Sequence, residues 1–315
     1  MFAGILFVCH SHVHLKSACM KITLALMLIR LLSWLPLRLL YWLALPPAAL
    51  LYCLPWRKHR IIRTNLEIAF PGASAREYRR LHRQNLVEMV RLMLEMGAVW
   101  FWPAAKVNGA IREIHGGQQL EAASRSGRGV LLIAGHHGNW EINALRAGLG
   151  GRFSGLYKAP RDPRVDQALT VSRSRFGASL IAAGSPAMRQ MLKALRAGGT
   201  VGLLMDQQPR HGQGVFAPFF GRPALTMTLV QRLARRTGCA VVFSDCHRLP
   251  RGRGWSLEYH TLPPTVADAD PVVAAGALNQ CLENFVNRAP AQYLWLYKRY
   301  ALQPEGWDNP YRAGR

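Results

Sequence analysis

The stretch Gly135-His-His-Gly-Asn-Trp-Glu141 brings two histidines and a carboxylate close together in sequence. These residue types suit general-base chemistry. A carboxylate on one imidazole nitrogen fixes the tautomer and stabilises the imidazolium, leaving the other nitrogen to remove a proton. Carboxylates are scarce in this chain: 17 of 315 residues are Asp or Glu, against 40 Lys plus Arg. His136 and Glu141 could not meet on one continuous helix, where five residues turn by about 500° and leave two side chains about 140° apart. They can meet if residues 130–134 form a strand, 135–138 a tight turn, and Asn139 caps a helix carrying Glu141 in its first turn. No Ser or Cys nucleophile adjoins the pair. The activated hydroxyl would therefore belong to the substrate, and direct acyl transfer to it is the economical chemistry.

The flanking pattern predicts elements that would hold such a turn. Short apolar runs at 130–134, 155–157, 179–182, 201–205 and 240–245 alternate with helical segments at 142–147, 164–176, 187–197 and 226–236. That alternation implies βαβ units around a largely parallel sheet. Ser185 as cap, Pro186 at the first helical position and Gly198 at the end give the third helix its start and stop. Upstream, residues 57–66 read as a basic helix. Ser74, after Pro71-Gly72, caps another, whose apolar positions Leu81, Leu86, Val90, Leu92 and Met93 run up to Gly97. Trp100-Phe-Trp-Pro103 closes this helical region, its aromatics suiting either a lipid interface or a core. Asp206 falls at a strand end, where α/β sheets place functional groups; as an alternative it forms a turn with Gln207 to Pro209.

Composition bounds the partners. The formal net charge of +23 predicts attraction to something anionic, whether a nucleic acid, an anionic membrane or an acidic protein. Six cysteines without C-x-x-C or regular spacing argue against a disulfide framework and suit a reducing, cytosol-facing location. Residues 22–55 are apolar apart from Thr23, Arg30, Ser33 and Arg38, and end at the basic cluster Arg57-Lys-His-Arg60 with Arg63. A spanning helix needs about 20 apolar residues. Pro36, Pro46 and Pro47 interrupt the run, so a tilted or interfacial anchor competes with a single span. The expected organisation is a tail at 1–21, open to disorder, an anchor helix region at 22–56 and an α/β domain at 57–315. In the tail, His10, His12 and His14 between Cys9 and Cys19 could bind a metal, but alternating histidines in a tail enforce no geometry.

Several blocks in order resemble one family: "GHHGNWE", "LSWLPLRLLYWLA", "RTNLEIAFPGAS" (63–74), "YKAPRDPRVDQALTVSRSRFGASLI" (157–181), "GLLMDQQP" with "GVFAPFFGRPALT" (202–226), and "QYLWLYKRY" (292–300). The chain resembles the late acyltransferases of lipid A biosynthesis, the lauroyl/myristoyl acyltransferases within the lysophospholipid acyltransferase superfamily. The resemblance implies a glycerolipid acyltransferase-like α/β fold with an N-terminal membrane-anchoring helix. It also implies an acyl carrier protein thioester as donor, a phosphorylated lipid A precursor as acceptor, and an inner-membrane site facing the cytoplasm. By position it gives His136 as general base with Glu141 as its orienting partner and His137 as a neighbour. Asn139, Arg173, Arg175, Asp206, Arg222 and Thr226 become substrate-binding candidates, with Phe219-Phe-Gly221 lining the site. Lys158 stands where an Arg is usual and Tyr297 where a His is common. No cofactor and no metal is expected.

Rival readings keep the base but change the acceptor to another glycolipid or a lysophospholipid. Others take His137 and Glu141 as half a zinc site, for which His211 and His247 offer no spacing logic, or the His-His pair as that of a peptide-synthesis condensation domain, for which the chain is short. A non-enzyme alternative is a basic membrane-associated nucleic-acid-binding protein, although the arginines are dispersed and no binding module is visible.

Overall fold

The computed structural model describes residues 12–160, 162–210 and 212–312, so Cys9 and His10 lie outside the described residues. The described residues open with α1 (His12–Leu32), α2 (Leu37–Leu43) and α3 (Leu45–Cys53). The expected single anchor helix is thus three. Pro36 sits at the N-cap of α2 with extended dihedrals and ends the first run, while Pro46 and Pro47 occupy the first turn of α3, where a missing N–H is tolerated. Among the described residues no single helix is long and apolar enough to cross a membrane. The apolar stretch over α2–α3 passes that test only together with α4 (Lys58–Ala69), to which it is bent by 96°.

These helices lie on α5 (Ala75–Phe101), the longest described helix. Ser74 and Glu77 form a reciprocal capping box at its start. Gly97 allows α1 to approach closely, since a Cβ there would stand 2.5 Å from the Ile29 carbonyl oxygen. Trp100 and Trp102 are buried, and the Trp102 indole donates to the Ser33 carbonyl at 2.6 Å. The aromatic close of this region is therefore core.

After α6 (Ala104–Ala110) comes the α/β body: β1 (Ile111–His115), α7 (Gly117–Arg125), β2 (Val130–Ala134), α8 (Trp140–Gly148), β3 (Phe153–Tyr157), α9 (Pro163–Ser174), β4 (Ser179–Ala182), α10 (Ala187–Arg196) and β5 (Thr200–Leu204). It continues with β6 (Gly214–Phe219), β7 (Arg222–Met227), α11 (Leu229–Thr237), β8 (Ala240–Arg248), β9 (Trp255–Thr261) and α12 (Pro271–Arg288). The seven-stranded sheet has the order β1-β9-β8-β2-β5-β3-β4. All neighbours are parallel except β8 and β9. β2 is buried along its whole length, as a central parallel strand must be. On one face Leu131, Ile133, Val201 and Leu203 pack against α10, α11 and α12; on the other, Val130, Leu132 and Phe153 pack against α8 and α9. The chain leaves β2 toward one face and β5 toward the other, so a crevice opens between their carboxyl ends.

Two sequence expectations change. The helix read at 226–236 begins only at Leu229, because Thr226 pairs with Val215 in the β6–β7 hairpin. Its two-residue turn, Phe220-Gly221, has positive φ at both positions. Phe220 accepts this because its N–H donates to Glu283 at 2.7 Å and its ring packs on Phe70 and Trp295. Ser185 does not cap α10: Pro186 is the N-cap and there is no side-chain cap.

Under α3, His59 of α4 joins His82 of α5 through Nδ1 and Nε2 at 3.0 Å, and its other nitrogen reaches the Leu51 and Leu54 carbonyls. Burial, then the neighbouring His59, lowers the His82 pKa from 6.5 to about 4. Unfolded chains take up this proton near pH 6.5 and the folded one only near 4. The stabilisation is therefore complete above pH 6.5 and lost as pH falls through that window. The melting temperature is expected to fall between pH 6.5 and 4, and His82→Gln to flatten the slope; an unchanged slope in the variant would refute the assignment.

Candidate active site

The turn after β2 is built by its backbone. Gly138 has φ +57°, and a Cβ there would run into the Cys246 carbonyl of β8. The Gly138 N–H donates to the Gln292 carbonyl at 3.1 Å, the Asn139 N–H to the Cys246 carbonyl at 2.7 Å, and the Leu294 N–H to the His136 carbonyl at 3.0 Å. The turn is thus clamped between β8 and the segment following α12.

From this turn the two histidines diverge toward the strands on either side of β2. The parallel register pairs Ala134 with Leu204, so that two residues on His136 comes level with Asp206. His136 Nδ1 donates to Asp206 Oδ1 at 2.6 Å, and its backbone N–H donates to Oδ2 at 2.8 Å. Burial by itself would raise the Asp206 pKa; the charge and hydrogen bonds of His136, with a contribution from Arg299, outweigh it and hold the carboxyl below its ordinary value. In the tautomer whose Nδ1–H donates to this carboxylate, the lone pair lies on Nε2. It accepts from the Gln207 side-chain amide at 3.0 Å, and the Trp140 ring packs edge-on against the imidazole.

His137 turns toward β8 instead. Its Nδ1 donates to Asp245 at 2.7 Å and its Nε2 engages the Ala289 carbonyl at 3.0 Å. The ring is 2 % exposed. Burial opposes its charge, but Asp245 and the Ala289 carbonyl more than compensate and raise its pKa. With both nitrogens committed, His137 braces the turn and has none left for a substrate.

Glu141 does not orient His136. From the first turn of α8 it takes a two-point ion pair from Arg173 of α9, at 2.6 and 3.1 Å, with both side chains largely buried. The strand–turn–helix expected around the motif is present, but each end of the supposed pair has another partner. Nor do His137 and Glu141 come together as half a metal site, since Asp245 and Arg173 respectively hold them. Among the described residues no three His, Cys, Asp or Glu side chains converge as a metal site would need.

The remaining candidates divide. Asn139 is fully buried and makes no side-chain cap. Its amide donates to Glu95 at 2.7 Å, and the same carboxylate accepts from Arg248 at 2.8 Å. Arg248 also reaches the Gly138 carbonyl. Glu95 and Arg248 therefore support the turn from behind, a role that no local pattern in the sequence signals. Arg175 binds the Val99 and Trp100 carbonyls at the end of α5, as a cation at a helix C-terminus does. Arg222 holds the C-terminal segment through Gln303 and Asp308. Thr226 is fully buried and accepts from Arg299 at 2.8 Å. All four are committed to contacts within the protein. Tyr297, at the departure from the family pattern, accepts from the Gln208 N–H beside Asp206 and Gln207.

Asp206→Asn is expected to lower kcat by about 10³-fold, by weakening the anchor of the imidazole, with the fold retained by circular dichroism; wild-type turnover would exclude the pair. In a double-mutant cycle, Glu141→Gln and Arg173→Gln are expected to couple by about 1–3 kcal/mol. Additive losses would mean that they act separately. Gly138→Ala is expected to destabilise the fold by about 3 kcal/mol or more, measured by denaturant unfolding.

A sequence profile of the bacterial lipid A biosynthesis acyltransferases matches residues 10–301. The chain is 30% identical over 258 residues to the lipid A biosynthesis lauroyltransferase of Escherichia coli K12, covering 81% of this chain and 83% of that protein. It is 28% identical over 292 residues to the lipid A biosynthesis palmitoleoyltransferase of the same organism, covering 89% and 94%. Against its lipid A biosynthesis myristoyltransferase the identity is 24% over 253 residues, covering 79% and 76%. The protein belongs to the bacterial lipid A biosynthesis acyltransferase family.

Proposed function

We propose that this acyltransferase moves a fatty acyl chain from an acyl carrier protein thioester to a hydroxyl of a lipid A precursor, with His136 as general base, at the cytoplasmic face of the inner membrane. The observation that carries the reading is the polarised imidazole: Nδ1 is tied to a buried carboxylate, and Nε2 is held by a neutral amide that a substrate hydroxyl can replace.

In the proposed sequence the acceptor hydroxyl displaces the Gln207 amide from Nε2. His136 takes its proton while the oxygen attacks the thioester carbonyl. Asp206 stabilises the imidazolium that forms. The tetrahedral intermediate collapses with cleavage of the C–S bond, the thiolate leaves, and the imidazolium returns the proton to it. Gln207, freed from Nε2, is a neutral donor beside the developing oxyanion, the kind of group that stabilises it. Glu141 acts as a positioning residue, holding Arg173 extended near the turn, where a guanidinium suits a phosphorylated acceptor.

The membrane reading is supported by α1–α3, which leave Leu24, Leu28, Trp34, Trp42, Leu50 and Leu54 exposed. A soluble surface rarely carries such a contiguous apolar patch. With the bend at α4 and the basic residues Arg57, Lys58 and Arg60 beside it, shallow insertion among anionic headgroups is the favoured mode.

The test is mass spectrometry of a phosphorylated lipid A precursor incubated with acyl carrier protein thioesters of several lengths and membranes containing the native chain or His136→Ala. Native protein is expected to add one acyl mass, which also reports the chain used. His136→Ala is expected to lose about 10²- to 10⁴-fold of the rate. Equal addition by both would refute the base, and acylation of a lysophospholipid in place of the precursor would move the acceptor.

A further inference from the structure

A strongly one-sided surface lies on α10 and α11, apart from the apolar helices α1–α3. Between Asp166 and Asp245 the only acidic residue is Asp206, which is buried. On α10, Arg189, Lys193 and Arg196 follow one another at spacings that share a helix face, and all three are exposed. On the adjoining flank of α11, Arg232 and Arg236 are exposed one turn apart. Among the described residues, none of these five cations has an acidic partner within ion-pair distance. Unpaired like charges on neighbouring helices repel, so their arrangement costs stability.

α10 and α11 enclose a groove of about 510 Å³ lined by Ser185, Met188, Arg189, Leu192, Lys193, Arg196 and Arg236. Its apolar floor is Met188 and Leu192, and its walls are cationic. Both helices run from the carboxyl edge of the sheet toward the opposite edge, because each precedes a parallel strand. α10 follows the carboxyl end of β4. The Thr228 N–H, at the start of α11, donates to Gln213 in the loop that leads from Asp206 and Gln207. The groove therefore runs along α10, about 15 Å long, from Ser185 at the edge where His136 lies to Arg196 and Arg236 at the opposite edge.

We propose that this groove docks an acidic helical protein, the carrier that delivers the acyl thioester. The inference rests on the donor reading above and adds where that donor binds. An acidic amphipathic helix matches both walls and floor, in the manner of helices that bind in grooves. A lipid headgroup matches less well. Among the described residues, no large hydrophobic side chain is strongly exposed between residues 172 and 271, so this face lacks the groups that insert into a bilayer. Such groups are on α1–α3, which pack on α5.

The test is steady-state kinetics with the full chain in lipid-containing detergent, comparing native protein with the triple variant Arg189→Glu, Lys193→Glu, Arg236→Glu. One donor is the acyl carrier protein thioester; the other is the same acyl group on pantetheine alone. The variant is expected to raise KM for the carrier thioester about tenfold or more, with kcat within about twofold and the pantetheine donor unaffected. Added salt should narrow the gap between the two proteins. Unchanged KM for the carrier thioester in the variant would overturn the inference while leaving the donor reading intact. So would equal loss with both donors, or a loss confined to binding of phosphatidylglycerol vesicles. Native protein that turns over the pantetheine thioester but not the carrier thioester would instead refute the donor reading itself, and the docking inference with it.

Discussion

The hydrogen bond between His136 and Asp206 depends on the register of two parallel strands, and much of the remaining architecture serves to keep that register. A β2–β5 slip of one residue would carry Asp206 away from the imidazole and turn its side chain to the other face of the sheet. The slip is opposed by burial on both faces, since Leu131 and Ile133 point to one core and Val130 and Leu132 to the other. Exchanging these side chains between the two layers would overpack one and leave voids in the other, at about 1–3 kcal/mol for each misfit. Asp206 in turn receives both the ring and the backbone N–H of His136. One carboxylate thus fixes the tautomer of the proposed base and the start of the turn that presents it.

The same turn shows how a highly basic protein uses its few acids. Asp206, Asp245, Glu95 and Glu141 are all buried or nearly so, and each meets a cation or a histidine on the motif or beside it. A buried carboxylate without such a partner would be strongly destabilising, and the pair is worth keeping only when its geometry is good. Removing one member leaves the other charge uncompensated in a medium of low dielectric. Variants such as Glu141→Gln therefore probe positioning as well as charge.

The surface divides the excess positive charge from the apolar exposure. Leucines and tryptophans crowd the outside of α1–α3, while the cations of α10 and α11 line a groove whose apolar side chains, Met188 and Leu192, are only partly exposed. Under the proposed function the enzyme meets both a membrane-borne acceptor and a water-soluble donor, and segregation would let each surface be recognised without the other competing for it.

Local chemistry in the chain was sufficient to determine the strand–turn–helix around Gly135 to Glu141, β2 and β4 at their observed limits, and the capped start of α5. These depend on periodicity, glycine and capping side chains within a few residues of one another. The order of blocks was likewise sufficient to indicate the family. Which carboxylate serves His136 depended on tertiary structure, because Asp206 lies seventy positions away and meets it only through pairing of β2 with β5. Glu141 was nearer in sequence but faces α9, where Arg173 holds it. The hairpin of β6 and β7 escaped notice for a similar reason: Phe220 adopts positive φ only because Glu283 and the aromatic side chains around it hold it there. Sequence spacing determines which side chains share a local element. Strand order and register decide which of them touch.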